Sequence, residues 1–208
     1  MNLSVTLILI IITVGASLYA WSKPQILQRW IFNPYHIYTN KEYFRFLTSG
    51  FIHQDYMHLF FNMFTLYFFG PIIEQTFGYL YGAVGLVLYT AMYLLAIVLS
   101  SIKTYVKHRH DPGYNSLGAS GGVSAVIFSA ILFDPTSNIY LFAILPIPGF
   151  ILGALFLIYS YQRGKQTGDR INHDAHLYGA LFGIVFTILV YPNVISRFVE
   201  EIASFRLF

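Results

Sequence analysis

Residues 75–102 read QTFGYLYGAVGLVLYTAMYLLAIVLSSI, 28 in a row without Asp, Glu, Lys or Arg. A bilayer's hydrocarbon core is about 30 Å thick and a helix rises about 1.5 Å per residue, so roughly 17–25 mostly apolar residues make a spanning helix. Outward from this run lie five more uncharged stretches, at 1–22, 56–73, 112–133, 135–162 and 175–196. Together the six take up 140 of 208 residues. Their apolar character is continuous rather than alternating, which selects helices over barrel strands. Only Glu74 parts 56–73 from 75–102, and Gly78 and Gly82 beside it mark where the chain turns. The pattern predicts an all-α membrane protein, a bundle of six transmembrane helices at roughly 3–21, 57–77, 79–101, 118–133, 138–160 and 174–192. A single domain covers 1–208. A signal peptide is the alternative for 1–22, but Met1-Asn2 carries no cation and Leu18-Tyr19-Ala20 is a poor cleavage site, so this stretch is read as the first helix.

Composition agrees. Hydrophobic residues make up 56% and charged residues 10%, against about 45–50% and about 25% in soluble domains. That excludes a soluble enzyme and a disordered chain. Twelve basic and nine acidic residues leave a net charge of +3, too little for a nucleic-acid partner. The absence of cysteine excludes disulfides, cysteine nucleophiles and thiolate metal sites. The first connection, 23–55, holds Trp30, Phe32, Tyr35, Tyr38, Tyr43, Phe44, Phe46 and Phe51 among four basic residues. It reads as a long first loop lying in the membrane interface of the lipid bilayer.

Ionisable and polar residues are costly inside a membrane, so each is a candidate for function. Parity sorts them. His58 and Asn62 open the second span, Ser120 the fourth and His176 the sixth, each just after an odd-numbered connection and therefore near one face. Ser120 sits in Gly118-Ala119-Ser120-Gly121-Gly122, where missing side chains permit close approach. Ala175, Gly179 and Gly183 recur every four residues and make a small-residue face, with His176 one turn before Gly179. A contact between these spans would bring an imidazole to a serine hydroxyl, the composition of a Ser-His dyad. His58 and Asn62, four apart, share a helix face and can both donate to a developing oxyanion. The Ser120 N–H at a helix start is a further donor. Singly, each residue has a plainer reading: serine as packing, histidine as an interfacial residue, asparagine as interhelical glue.

Taken in order, these residues resemble the rhomboid family of intramembrane serine proteases, most closely over 40–190. His58-Leu59-Phe60-Phe61-Asn62 is similar to its H-x-x-x-N, Gly118-Ala119-Ser120-Gly121 to its G-x-S-G, and Ala175-His176-Leu177-Tyr178-Gly179 to its A-H-x-x-G. Gly70, Glu74 and Gly78 resemble its G-x-x-x-E-x-x-x-G, and Phe44-Arg45 its Trp-Arg. The resemblance implies Ser120 as nucleophile, His176 as general base, and an oxyanion hole of His58, Asn62 and backbone N–H groups near Ser120. Gly118, Ala119, Gly121 and Gly179 would support them. It implies a water-filled cavity open to one face, gated by the fifth helix and loops, and transmembrane protein substrates cut where the helix unwinds. It implies no metal and no cofactor. Two positions depart from the family: Ser124 replaces the aromatic often found four residues after the serine, and Phe44 replaces Trp.

Other patterns carry less. A G-x-S-x-G elbow needs a strand–turn–helix that a membrane stretch does not supply. Asp174 lies on the opposite side of the helix from His176 and is a poor third triad member; Asp111 is loop-borne. No H-E-x-x-H accompanies the seven histidines. Glu74 belongs at the far end of the second span, where a structural bond to the second connection is expected. Orientation is contested. The family's bacterial members imply a bacterial cytoplasmic membrane with the site opening outward. Connections 1, 3 and 5 nevertheless carry 4, 3 and 3 basic residues against Arg197 and Arg206 on the other side, which points the site inward. The alternative functions are a non-catalytic rhomboid-like protein that binds membrane helices for quality control, and a transporter; the latter would show paired broken helices and mid-membrane charges, which are absent.

Overall fold

The computed structural model describes residues 4–141, 144–166 and 171–206, and most of them are helical. Helix α1 (Val5–Ser22) is followed by three short helices in the first connection, α2 (Pro24–Trp30), α3 (Pro34–Asn40) and α4 (Arg45–Thr48), and by a 3-10 turn, Ser49–Phe51. Then come α5 (Tyr56–Tyr81), α6 (Ala83–Ser100), α7 (Ile102–His108) and α8 (Ser120–Phe133). A hairpin of β1 (Asn138–Leu141) and β2 (Leu145–Pro148) precedes α9 (Gly149–Gly164), α10 (His173–Val190) and α11 (Val194–Ser204). By length and composition four helices can cross a membrane: Val5–Ser22, Tyr56–Tyr81, Ala83–His108 and His173–Val190. Their outward faces keep large apolar side chains exposed, among them Ile11, Ile12, Phe60, Val87 and Leu189, as lipid-facing surfaces do.

The core is built on α8. Gly121, Gly122, Val123, Ser124, Ala125 and Val126 are all buried, and so are most residues of its second half. Its tightest neighbour is α10. A methyl group on Gly179 would run into the Gly121 carbonyl, one on Gly183 would run into the Ala125 carbonyl, and the Thr187 hydroxyl donates to Ser129 Oγ at 2.7 Å. Both members of each pair advance by four residues, so α8 and α10 run parallel and start at the same end. On its other side α8 meets α6, with Gly121 against Ser100 and Gly122 against the Tyr93 ring. Leu66, Ile73, Phe77, Tyr89 and Met92 fill the space between α5 and α6.

Three elements differ from the sequence expectation. α5 runs through Tyr81 rather than ending at 77, and the chain turns at Gly82, the second of the two glycines expected there, which adopts φ 58°, ψ −134°, a conformation that suits glycine. The fifth helix starts at Gly149 rather than 138, and Asn138–Leu141 pairs antiparallel with Leu145–Pro148. Pro146 and Pro148 explain it, since proline disfavours a helical predecessor and lacks the N–H that a helix interior needs, whereas two strands at an edge tolerate both. The uncharged run 135–162 is thus only partly a helix. Finally, α11 was not expected. Val194, Phe198 and Ile202 form one apolar side of it, while Arg197, Glu200 and Ser204 lie elsewhere on its circumference.

Glu74 also has a different partner from the one expected. Its carboxylate accepts from the Val5 N–H at 2.7 Å and the Thr6 N–H at 2.8 Å, and Thr6 Oγ1 lies 2.8 Å from the Tyr89 hydroxyl. The anion therefore caps the positive end of α1, where orphan N–H groups and the helix dipole both favour negative charge. Ser4 adds a third cap by accepting from the Leu7 N–H.

Two stability predictions follow from these contacts. Glu74→Ala leaves the buried Thr6 N–H and the part-buried Val5 N–H without this acceptor and should lower stability by about 1–3 kcal/mol, with Glu74→Gln in between; thermal melts in detergent read this directly. Gly183→Leu forces α10 off the α8 backbone and should cost about 3 kcal/mol or more in the same melts, whereas Gly15→Leu, on open surface, should cost little.

Candidate active site

Ser120 is the first residue of α8 and is half-buried. The chain reaches it through Gly118, at φ 117°, a left-handed-side value that an L side chain rarely adopts. The same glycine leaves room for His58: a side chain at 118 would collide with its imidazole. Gly118 N–H donates to the Ser49 carbonyl at 2.9 Å. The expected Gly118, Ala119 and Gly121 thus have distinct tasks. Gly118 admits the ring, Ala119 is wholly buried as the residue before the helix, and Gly121 meets Gly179. The first N–H groups of α8 have no carbonyl one turn back, so they remain available at its start.

His58 lies in the first turn of α5, whose N-cap Asp55 accepts from the His58 N–H at 2.8 Å. Asn62, one turn on, is buried, and its Nδ2 donates to the His58 carbonyl at 2.9 Å. One amide hydrogen is spent there and one is left. His176 lies in the first turn of α10, three residues before Gly179. Its ring stacks on Phe156 of α9, with centroids 6.1 Å apart and planes 22° apart, and meets the His173 ring edge-on at 6.0 Å. Phe156 thus supplies the ring contact that Ser124, inside α8, does not. Among the described residues no hydrogen bond joins the Ser120 hydroxyl to the His176 imidazole. The Asp174 carboxylate faces Lys103 at 3.8 Å and Lys107 at 3.7 Å, and Asp111 accepts from the Gly113 N–H, so neither is engaged with His176.

Beside Ser120 is a small cavity of about 20 Å³, lined by Ser49, Ser100, Ser101, Ser116, Ser120 and Asn172 among others. It is polar and just large enough for one water. Asn172 had no signal in the sequence beyond its place before a helix. Its Oδ1 accepts from the Ala175 N–H and from the Thr104 hydroxyl, both at 3.0 Å, while Nδ2 reaches Ser116 at 3.4 Å. It ties the start of α10 to α7 and to the loop before Ser120.

The first connection leans on that same loop. Phe32 and Ser116 exchange backbone hydrogen bonds at 3.0 Å, and Asn33 donates to Pro112 O and Asn115 Oδ1. Arg45 is buried and donates to the Gln28 and Ile31 carbonyls at 2.8 Å and to Glu42. Phe44, the residue that departs from the Trp of the resembled Trp-Arg, is partly exposed and packs beneath the Arg29 and Arg45 guanidinium groups.

Sequence reasoning also passed over His53. It is fully buried in the segment before α5, and its ring lies 4.9 Å from that of His58, edge to face. Burial, reinforced by His58 and opposed by Asp55, pushes its pKa down to about 3, so the ring is neutral at pH 7. Among the described residues no group of three His, Cys, Asp or Glu is gathered as a metal site would need.

A comparison with known proteins extends this picture. The Rhomboid domain family model matches residues 40–193. RHOMBOID-like protein 12, mitochondrial, of Arabidopsis thaliana is 33% identical over 142 residues, covering 64% of this chain and 42% of that protein. Rhomboid protease GlpG of Haemophilus influenzae is 24% identical over 153 residues, covering 71% of this chain and 69% of GlpG. The chain therefore spans less than half of the first relative and about two thirds of the second. Because one matching relative is mitochondrial, the expected bacterial cytoplasmic membrane is not supported; a membrane protein is. With its domain match running over most of its length, this chain belongs to the rhomboid family.

Proposed function

We propose that this chain is an intramembrane serine endopeptidase that cleaves transmembrane segments of membrane proteins, without metal or cofactor, with Ser120 as nucleophile and His176 as general base. The observation that carries the reading is the side-chain-free contact of Gly121 with Gly179, which draws together the starts of α8 and α10 just where the serine and the histidine lie. In the reaction the Ser120 oxygen adds to the scissile carbonyl carbon while the imidazole takes its proton. The carbonyl oxygen becomes an anion held by the Ser120 N–H, His58 and the remaining Asn62 amide hydrogen. His176 then returns the proton to the leaving amine, and the acyl group stays on Ser120. Water from the serine-lined cavity, deprotonated by His176, then adds to the acyl carbon; the Ser120 oxygen departs, takes the proton back from His176, and the second product leaves as a carboxylic acid.

The proposed membrane arrangement has six crossings, α8 and α9 being the two short ones. Fourteen residues of α8 span about 21 Å, less than the hydrocarbon core of about 30 Å, so its start lies below the membrane surface. The loop leading down to it has backbone bonded to the first connection, as non-helical backbone at depth requires.

One alternative keeps an observation in its favour. A non-catalytic, helix-binding relative would need no hydroxyl–imidazole bond, and the Asn62 amide is partly turned to its own helix. Catalytic bonds are often long before substrate binds, so kinetics decide between the two. In proteoliposomes with a model transmembrane substrate, Ser120→Ala and His176→Ala should each lower cleavage by about three orders of magnitude or more while remaining folded. His58→Ala should lose about a hundredfold. Wild-type protein that cleaves no substrate and takes up no fluorophosphonate would establish the binding reading instead. Phe156→Ala should lower kcat several-fold with little change in KM, since the ring orients the base rather than the substrate; steady-state kinetics in the same vesicles measure both. A topology reporter fused at the C-terminus assigns the face: a cytoplasmic terminus accords with an outward site, an external one with an inward site.

A further inference from the structure

Both ring nitrogens and the carbonyl of His53 are engaged. Nε2 lies 3.3 Å from the Ala119 N–H, Nδ1 lies 3.1 Å from Ser17 Oγ on α1, and the carbonyl accepts from the Trp21 indole at 2.8 Å. A backbone N–H only donates, so Nε2 carries the lone pair and Nδ1 the hydrogen. That hydrogen goes to Ser17 Oγ, whose own hydrogen goes to the Phe51 carbonyl at 3.2 Å. The chain of donors runs one way, from Ala119 through the imidazole and Ser17 to Phe51, and each donor has an acceptor.

The consequence falls on the peptide units just before Ser120. Gly118 N–H is held by Ser49 and Ala119 N–H by His53, so both are committed away from the catalytic side. The N–H groups left for an oxyanion are those from Ser120 onward. The His53 ring also supports His58, and the His58 ring sits against Gly118. Hydrogen bond and ring contact therefore converge on the same two residues, Gly118 and Ala119.

We infer that His53 is a positioning residue for the nucleophile loop: it fixes the Gly118–Ala119 peptide, aims the Ser120 N–H and hydroxyl, and makes α1, through Ser17 and Trp21, part of the support of the active site. The inference rests on the protease reading of Ser120. Only a neutral imidazole can accept at Nε2 while donating at Nδ1, and burial keeps it neutral. The charged and titratable groups around it are His58 and Asp55, and neither bonds to the ring.

The test compares His53→Leu, which fills the space but accepts nothing, with His53→Gln, which retains an acceptor, in the full-length protein in proteoliposomes. Amide exchange of the segment around Ala119 is read by mass spectrometry beside the rate of fluorophosphonate labelling of Ser120. His53→Leu should speed exchange at Ala119 and slow both labelling and kcat by about ten- to a hundredfold with KM nearly unchanged. His53→Gln should recover much of both. Glu74→Gln serves as control: it weakens the opposite end of α1 and should leave labelling near wild type at a comparable loss of thermal stability. If His53→Leu does not fold, Ser17→Ala removes only the outer bond and should slow labelling several-fold. Normal labelling in a folded His53→Leu, or an equal loss in Glu74→Gln, overturns the inference. If wild-type protein itself neither labels nor cleaves, the protease reading fails separately, and exchange at Ala119 alone decides whether His53 holds the loop.

Discussion

The contact on which the rest of the structure depends is the one between α8 and α10, made almost without side chains. Gly121 faces Gly179 and Ala125 faces Gly183, and Ser129 and Thr187 close the row with a hydrogen bond. In lipid there is no hydrophobic drive to bring helices together, because lipid tails are as apolar as leucine; close backbones gain dispersion contact instead. Gly121 is also pressed by α6, where a side chain at 121 would run into Ser100 and the Ala96 carbonyl. A helix enclosed on all sides in this way has to be small in cross-section. That accounts for the run of Gly, Ala, Ser and Val in the first half of α8.

The buried ionisable groups Glu74, Arg45, His53 and Asp174 lie towards the two ends of the bundle, and the ends are satisfied differently. At one end a single carboxylate, Glu74, meets the exposed N–H groups of α1. At the other, two connections fold over one another, and their carbonyls and N–H groups are taken up by Arg45, Asn33, Asn172 and His53. The second end is richer because the backbone between α7 and α8 is irregular there. Irregular backbone packed against other parts of the chain needs protein partners in place of water. The side chains that satisfy it are the ones that fix the surroundings of Ser120.

Much of this was legible in the sequence for a definable reason. Long uncharged runs and glycines at four-residue spacing are periodic signals, and they forecast the long helices and the Gly179 face. Glu74 was recognised as structural, but its partner was not, because the Ser4 cap marks a helix start without marking which distant carboxylate reaches it. The fifth uncharged run looked helical since apolar content does not distinguish a strand pair from a helix; Pro146 and Pro148 held that information. His53, Asn172 and Phe156 were missed for a common reason. Each acts through one spatial neighbour that is distant in sequence, Ala119, Ser116 and His176 respectively. A lone histidine in a loop, an asparagine before a helix, or one phenylalanine among 20 carries no local pattern.

Phe156 has a further consequence for the imidazole it stacks on. Of the long helices, α9 is the one held least: Gly149, Gly153 and Ser160 are its buried residues, and Leu155, Ile158, Tyr159 and Tyr161 point outward. A family-typical aromatic on α8 would fix the ring contact to the immobile centre of the bundle. Here Ser124 occupies that position, and the contact comes from a loosely packed helix. Any outward displacement of α9 takes Phe156 away from His176 while leaving Ser120, His58 and the Gly121–Gly179 contact in place. The orientation of the His176 ring is therefore coupled to the position of α9, because with Ser124 on α8 its ring contact comes from Phe156 of that helix.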